Sequence, residues 1–189
     1  MEKHIWFEVM KRMDKWKKEL ISWIKLIVIS LLIVVPLHQF GFNFTLVQGQ
    51  SMQPTLIEGE RLFVNRAVFL WTKPRVGEIV ILKEPKFTSW SDPYLVKRVV
   101  AVAGDDVEIK AGRLYRNGLQ VQEAYIDTKI EDGDYGPEQI RANHVFVMGD
   151  NRHFGSSKDS RYFGQVEVDL VVGRADFIIW PLSKLGELP

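Results

Sequence analysis

The sequence predicts a mostly β protein: one antiparallel β domain, built as two packed sheets or a partly open barrel, behind one N-terminal transmembrane helix. Three observations carry that reading. From Leu20 to Leu37 the chain reads LISWIKLIVISLLIVVPL, a long apolar run. Beyond it the apolar residues alternate with polar ones or fall in short runs rich in β-branched and aromatic types. Gly, Pro, Asn and Asp punctuate those runs at close intervals.

In chain order, residues 1–19 come first. Ile5, Trp6, Val9, Met13, Trp16 and Leu20 recur at three- and four-residue steps, the pattern of an amphipathic helix at the inner leaflet. Residues 20–37 follow as the span; a helix of about 18 residues measures roughly 27 Å, close to the hydrocarbon thickness. Lys25 sits near its inner end, where a lysine snorkels to the interface. Lys3, Lys11, Arg12, Lys15, Lys17 and Lys18 precede the span, and no lysine or arginine occurs from Leu26 to Glu60. That asymmetry predicts a single-pass plasma-membrane protein with a cytoplasmic N-terminus and an extracytoplasmic domain over 38–189. A cleavable signal peptide is disfavoured, because Pro36-Leu37-His38-Gln39-Phe40 follows the run in place of a small-x-small site. The span lacks a small-xxx-small pattern, so a monomer is expected.

In the domain, Phe42, Phe44 and Leu46 alternate with Asn43 and Thr45 as a strand does. Further strands are expected over 61–64, 78–82, 94–102, 107–109, 145–148 and 175–180. Turns are expected at Glu58-Gly59, Lys73-Pro74, Gly77, Ser91-Asp92-Pro93, Ala111-Gly112, Asp132-Gly133 and Gly136-Pro137. Asn117-Gly118, between Arg113-Leu114-Tyr115 and Leu119-Gln120-Val121, predicts a two-residue hairpin. Phe40, Phe42, Phe44, Phe69, Leu70 and Trp71 are either strand core or side chains that dip into the outer leaflet.

Composition excludes several classes of function. A net charge of +1 gives no basic stripe of the kind nucleic-acid binding requires. The absence of cysteine removes disulfides, thiolate metal sites and cysteine nucleophiles. No metal site is expected: there is no His-Glu-x-x-His, and Glu131-Asp132-Gly133-Asp134 lacks calcium-loop spacing and reads as a solvated turn.

The chemistry concentrates in three stretches: residues 49–56, GQSMQPTL; residues 97–105, KRVVAVAGD; and residues 149–161, GDNRHFGSSKDSR. A serine hydroxyl needs an unprotonated base within reach, and none of the four histidines has a serine-protease context. Lysine serves only if burial lowers its pKa from about 10.4 toward neutrality. On a strand, Lys97 shares a face with Leu95, Val99 and Ala101, while Arg98 points away.

These stretches resemble the type I signal peptidases, membrane-bound Ser-Lys enzymes that remove signal peptides from exported proteins. Gly-x-Ser-Met-x-Pro-Thr-Leu matches 49–56, Gly-Glu-x-Leu-x-Val matches 59–64, Lys-Arg-Val with Gly-Asp matches 97–105, and Gly-Asp-Asn-Arg with Asp-Ser-Arg matches 149–161. The resemblance implies Ser51 as nucleophile, Lys97 as general base and the Ser51 N–H as an oxyanion donor. Gly49 stands where some members have a second donor, as in the Gram-positive type. It implies Ser157 as the residue that orients the lysine, with Ser156 the alternative because four residues, 153–156, fill the usual two-residue gap. Asp159 and Arg161 would hold that loop by a salt bridge, Asp150, Asn151 and Arg152 would brace it, and Met52 and Pro54 would contact substrate. The implied partners are preprotein signal peptides and the lipid bilayer, with cleavage after small residues at Ala-x-Ala sites and no cofactor. Two other readings are a self-cleaving repressor-like protein, disfavoured by the membrane span, and a membrane-tethered β domain acting as an assembly factor or pilus chaperone.

Overall fold

The computed structural model describes residues 2–36, 41–85 and 93–188, with side chains 15–35 in the first segment. The chain divides into two compact units, Met1–Gly41 and Phe42–Pro189. In the first, one continuous helix, α1, runs from Glu2 to Pro36. It joins the two N-terminal segments that the sequence separates, because nothing before Pro36 breaks a helix. From Leu20 to Val35 its large apolar side chains are all about half exposed or more, around the whole circumference. Among the described residues no helix is long and apolar enough to cross a membrane. The span read from the sequence ends at Leu37, which, like His38 and Phe40, lies outside the described residues.

The second unit is antiparallel β. Its strands are β1 (Phe42–Leu46), β2 (Arg61–Asn65), β3 (Ile79–Lys83), β4 (Tyr94–Val102), β5 (Asp106–Lys110), β6 (Arg113–Arg116), β7 (Leu119–Gln120), β8 (Tyr135–Gln139), β9 (His144–Met148), β10 (Val166–Glu167), β11 (Val171–Trp180) and β12 (Gly186–Glu187), with a one-turn helix, α2 (Ser160–Phe163), before β10. One sheet has the order β1-β2-β11-β3-β4-β9-β10, with β12 also paired to β11, and the other the order β7-β6-β5-β8. The two-sheet expectation therefore holds.

Burial on both faces explains β3. Ile79 and Ile81 join Met52, Leu56, Leu62 and Val64 in one apolar cluster. Val80 and Leu82 join Val99, Val145, Val147 and Phe163 in another. A strand covered on both sides reads as a continuous apolar run, and each such side chain contributes about 1.5–3 kcal/mol. A third cluster, with Val100, Phe146 and Met148 from the large sheet and Val107, Ile109 and Leu114 from the small one, binds the two sheets together.

Three sequence expectations change. In β4 the partners Val99↔Val147 and Ala101↔Phe146 leave Val100 as an extra, bulged residue. The bulge moves Ala101 to the third cluster, away from Lys97, while Leu95 and Val99 keep the expected face. Gly136-Pro137 lies inside β8 and is not a turn. β8 is an edge strand, which tolerates proline, and a Cβ on Gly136 would sit 2.5 Å from Val107 O. β11 starts at Val171, four residues before the expected strand. The Asn117-Gly118 hairpin is present, both residues at positive φ (55° and 75°), as a type I′ turn requires. Of the aromatic group, Phe69 packs against the second cluster, Leu70 and Trp71 are exposed, and Phe42 and Phe44 lie against Phe63 on the outer face of β1 and β2. The turn read at Ser91-Asp92 lies outside the described residues.

Candidate active site

Ser51 sits in the loop between β1 and β2. Gly49 enters that loop at φ 77°, a backbone conformation that L side chains rarely adopt. Turn bonds from Gln53 N to Gln50 O (3.1 Å) and from Leu56 N to Met52 O (2.8 Å) coil the chain after it. Met52 and Leu56 then plug into the first core cluster and pin the loop from below, leaving Ser51 half-buried. Among the described residues the Ser51 N–H donates to no acceptor, so it is available to an incoming oxygen.

Lys97 arrives from the middle of β4, opposite Val80 of β3. It is 2% exposed, and its Nζ lies 2.6 Å from Ser51 Oγ and 2.9 Å from Val96 O. Burial pushes the Lys97 ammonium down, Asp159 and then Asp150 offset part of that, and Arg161 adds a smaller downward push, for a net value of about 8. A neutral lysine amine offers one lone pair and two N–H donors. Ser51 O–H can therefore donate to the lone pair while Val96 O accepts one of the N–H groups.

The third stretch closes on the Ser51 loop. Asn151 donates through its backbone N–H to Ser51 O and through Nδ2 to Gln50 O, both at 3.0 Å. Asp150, fully buried, accepts a forked contact from Arg98 (Nη2 at 2.7 Å, Nε at 2.9 Å) and a 2.6 Å bond from the Thr55 hydroxyl. Arg152 donates to Gly149 O at 2.7 Å and pairs with Glu123, also buried, at 2.5 Å. Gly149 itself leaves no room for a side chain, since a Cβ there would lie 2.3 Å from both Ser157 Oγ and Ser51 O.

That contact places Ser157 beside the Ser51 loop. The Ser157 hydroxyl donates to Asp159 Oδ2 at 2.8 Å, whereas the hydrogen bonds of Lys97 among the described residues run to Ser51 and Val96. Asp159 also accepts from Gly149 N (3.1 Å), caps α2 through Arg161 N and pairs with the Arg161 guanidinium at 2.8 Å. Burial by itself would raise the Asp159 carboxyl. The bonds and charge of Arg161, then Ser157 and the Gly149 N–H, outweigh burial and hold it below the usual carboxylate range.

Beside the dyad lies a shallow cleft of ~70 Å³ lined by Leu46, Gly49, Ser51, Met52, Leu95 and Lys97, among others. Pro54 is exposed and is not among the lining residues. Thr55, Arg98, Glu123 and Tyr125, whose ring stacks 4.0 Å under the Arg98 guanidinium, belong to the bracing network but were not singled out from the sequence. Thr55 and Arg98 stood inside the motifs, next to the chemistry; Glu123 and Tyr125 carry no local signal, since only folding brings them to Arg152 and Arg98. The acidic run is not simply solvated either: Glu131 accepts from Phe154 N, Asp132 from Gly155 N and Arg161, and Asp134 from Ala111 N. Among the described residues no three His, Asp or Glu side chains are grouped to hold a metal ion.

A half-buried serine hydroxyl against the amine of a desolvated lysine, on an antiparallel β scaffold, is the arrangement of a Ser-Lys hydrolase. Comparison with known proteins narrows the class. The family described as signal peptidase, peptidase S26, matches residues 20–180. The chain is 34% identical over 185 residues to signal peptidase I P of Bacillus subtilis subsp. natto, covering 93% of this chain and 96% of that one. It is 36% identical over 177 residues to signal peptidase I T of Bacillus subtilis strain 168 (88% and 89% covered), and 34% identical over 179 residues to signal peptidase I of Bacillus licheniformis (89% and 93%). The chain belongs to the signal peptidase family, as its four motifs implied, and is a serine peptidase.

Proposed function

We propose that this protein is a membrane-anchored endopeptidase that removes N-terminal signal peptides from exported preproteins, with Ser51 as nucleophile and Lys97 as general base. The observation that carries the reading is the 2.6 Å contact between Lys97 Nζ and Ser51 Oγ, made by a lysine that is 2% exposed, in a chain of this family. Lys97 takes the Ser51 proton as Oγ attacks the scissile carbonyl carbon. The Ser51 N–H donates to the resulting oxyanion; Gly49, without a side chain, adds no hydroxyl donor. Lys97 then gives its proton to the leaving amine, and a water activated by the same amine releases the acyl group from Ser51. Ser157 and Asp159 keep the lysine's surroundings in register, and Asp150, Asn151, Arg152 and Arg161 fix the loops that carry the two reacting groups. No cofactor enters these steps.

The substrate binds as an extended segment along β4. Among the described residues, Leu95, Val96 and Lys97 pair only with β3, which leaves their other edge open beside the cleft. The small volume of that cleft, floored by Met52, supports a choice of small side chains at the first and third positions before the cut. Pro54 would contact the substrate only outside the cleft.

Residues 20–37 serve as a single membrane span, with 1–19 cytoplasmic and 38–189 extracytoplasmic. The charge asymmetry of the sequence and the exposed apolar circumference of α1 support that topology, and the protein acts as a monomer. Cleavage of a preprotein with an Ala-x-Ala site by the detergent-solubilised full chain tests the chemistry. Wild type is expected to cut at that site and Ser51→Ala and Lys97→Ala to leave it intact; cleavage by Ser51→Ala would refute the assignment. Protease added outside spheroplasts is expected to digest the 38–189 domain; full protection would refute the topology.

A further inference from the structure

The two carboxylates at 131 and 132 accept two consecutive amides of the loop that precedes Ser157: Glu131 Oε2 takes Phe154 N–H at 2.9 Å, and Asp132 Oδ1 takes Gly155 N–H at 2.8 Å. The backbone N–H of Glu131 also donates to Arg152 O at 3.0 Å. Adjacent acceptors on adjacent donors define a register, and a slip by one residue would break both bonds. Asp132 has a second partner. Its Oδ2 lies 2.7 Å from Arg161 Nη1, and the far side of the same guanidinium grips Asp159 through Nε and Nη2, each at 2.8 Å. Asp159 in turn holds the Ser157 hydroxyl and the Gly149 N–H, and Gly149 is packed directly on Ser51 O. The Asp132 side chain is 22% exposed, Arg161 is 9% exposed and Asp159 is fully buried, so the chain of contacts runs inward from the surface to the dyad.

We propose that Asp132 is a positioning residue for the peptidase reaction: by clamping Gly155 and Arg161 together it fixes the loop 153–157 and, through Arg161 and Asp159, holds Ser157 and Gly149 against the Ser51 loop. The inference rests on the reading of Ser51 and Lys97 as the reacting pair. Asp132 touches neither reacting group and does not line the cleft, so its contribution belongs to the geometry of the dyad and not to substrate affinity. A guanidinium shared by two carboxylates is anchored at both edges of its planar fork. With one carboxylate gone, Arg161 keeps its contact to Asp159 but loses the outer tether that sets its position relative to the 153–157 loop.

The test uses the full chain in detergent with an Ala-x-Ala preprotein. Asp132→Asn keeps an acceptor for Gly155 N–H and removes the charge that holds Arg161. It is expected to lower kcat about tenfold with KM unchanged, short of the ~100-fold that a 1 Å misplacement can cost. Asp132→Glu is expected to recover part of that loss. In a Ser157→Ala background the same substitution is expected to cost less than about twofold, because residues acting through one contact are not additive. Amide exchange at Gly149, which donates to Asp159 and has no contact with Asp132, is expected to quicken in Asp132→Asn. Unchanged kcat together with unchanged Gly149 exchange would overturn the inference, as would a full tenfold loss in the Ser157→Ala background. Failure of the dyad reading is separately visible as cleavage by Ser51→Ala, and the Gly149 exchange still reports on the clamp in that case.

Discussion

Arg98 and Asp150 form a fork of charge-assisted hydrogen bonds with both side chains removed from water, 2% and 0% exposed. Because Thr55 also donates to Asp150, this one carboxylate ties together the loop after Ser51, the strand that carries Lys97 and the segment 149–152. A buried ion pair is stable only while both partners remain, and removing one leaves an uncompensated charge. Asp150→Ala is expected to destabilise the domain by about 3–5 kcal/mol, and Arg98→Met by a similar amount. The double substitution is expected to cost clearly less than the sum, because neither charge is then stranded. Unfolding curves of the four proteins measure the coupling, and strict additivity would mean that the pair does not act as a unit.

The lowered lysine predicts how the enzyme responds to pH. With Lys97 as the proposed base the reacting form is its neutral amine, so kcat/KM is expected to rise with pH, with an apparent pKa of about 8, and to level off above it. Stability carries the same signature. A folded-state pKa of about 8 against 10.5 for an ordinary lysine means that the unfolded chain binds more protons between those values. Stability attributable to Lys97 therefore increases as pH rises from about 8 to 10.5 and is absent below that window. The stability of wild type relative to Lys97→Met is expected to improve across that interval. An activity profile flat from pH 6 to 10 would count against Lys97 as the base.

The proposed pair was legible through the motifs that resemble the type I signal peptidases; a serine in a turn-forming stretch and a lysine on a strand that also carries Arg98 do not by themselves mark a reacting pair. Strand alternation predicted the face Lys97 shares with Leu95 and Val99. It failed three residues after Lys97, at Val100, because a bulge is a property of pairing with β9 and leaves no mark in β4 alone. Gly136-Pro137 was misread as a turn for the same reason: edge position in a sheet, which makes proline tolerable, is decided by which strands neighbour it. The bracing ion pairs were harder still. Arg152 with Glu123, and Arg161 with Asp132, join residues 29 positions apart, and charged side chains on loops ordinarily face solvent.

Met52 is both core and cleft. It is 2% exposed in the cluster beneath the Ser51 loop, and it lines the pocket beside the dyad. Met52→Ala is expected to destabilise the domain by about 2–5 kcal/mol through the cavity it leaves. It is also expected to deepen the cleft, so that preproteins with Val or Leu before the cut, poor substrates for wild type, gain in kcat/KM relative to those with Ala. A loss of stability with the substrate ranking unchanged would place Met52 in the core alone.

Gly149 is the tightest point of the site. An added Cβ would meet Ser157 Oγ and Ser51 O, both at 2.3 Å, and Ser157 Cβ at 2.8 Å. Neither collision is cheap to relieve, because Ser51 O is backbone held by Asn151 N and Ser157 is held by Asp159. The loops must therefore part, and they are the loops that set the distance from Lys97 to Ser51. Gly149→Ala is expected to lower kcat by roughly 100-fold or more, as a displacement near 1 Å does, while overpacking costs only about 1–3 kcal/mol of stability. Combining it with Ser157→Ala removes the Oγ collision and leaves those against Ser51 O and the Cβ of residue 157, so activity is not expected to return. A folded Gly149→Ala protein that cleaves at the wild-type rate would show that the contact with Ser51 does not govern the geometry of the dyad.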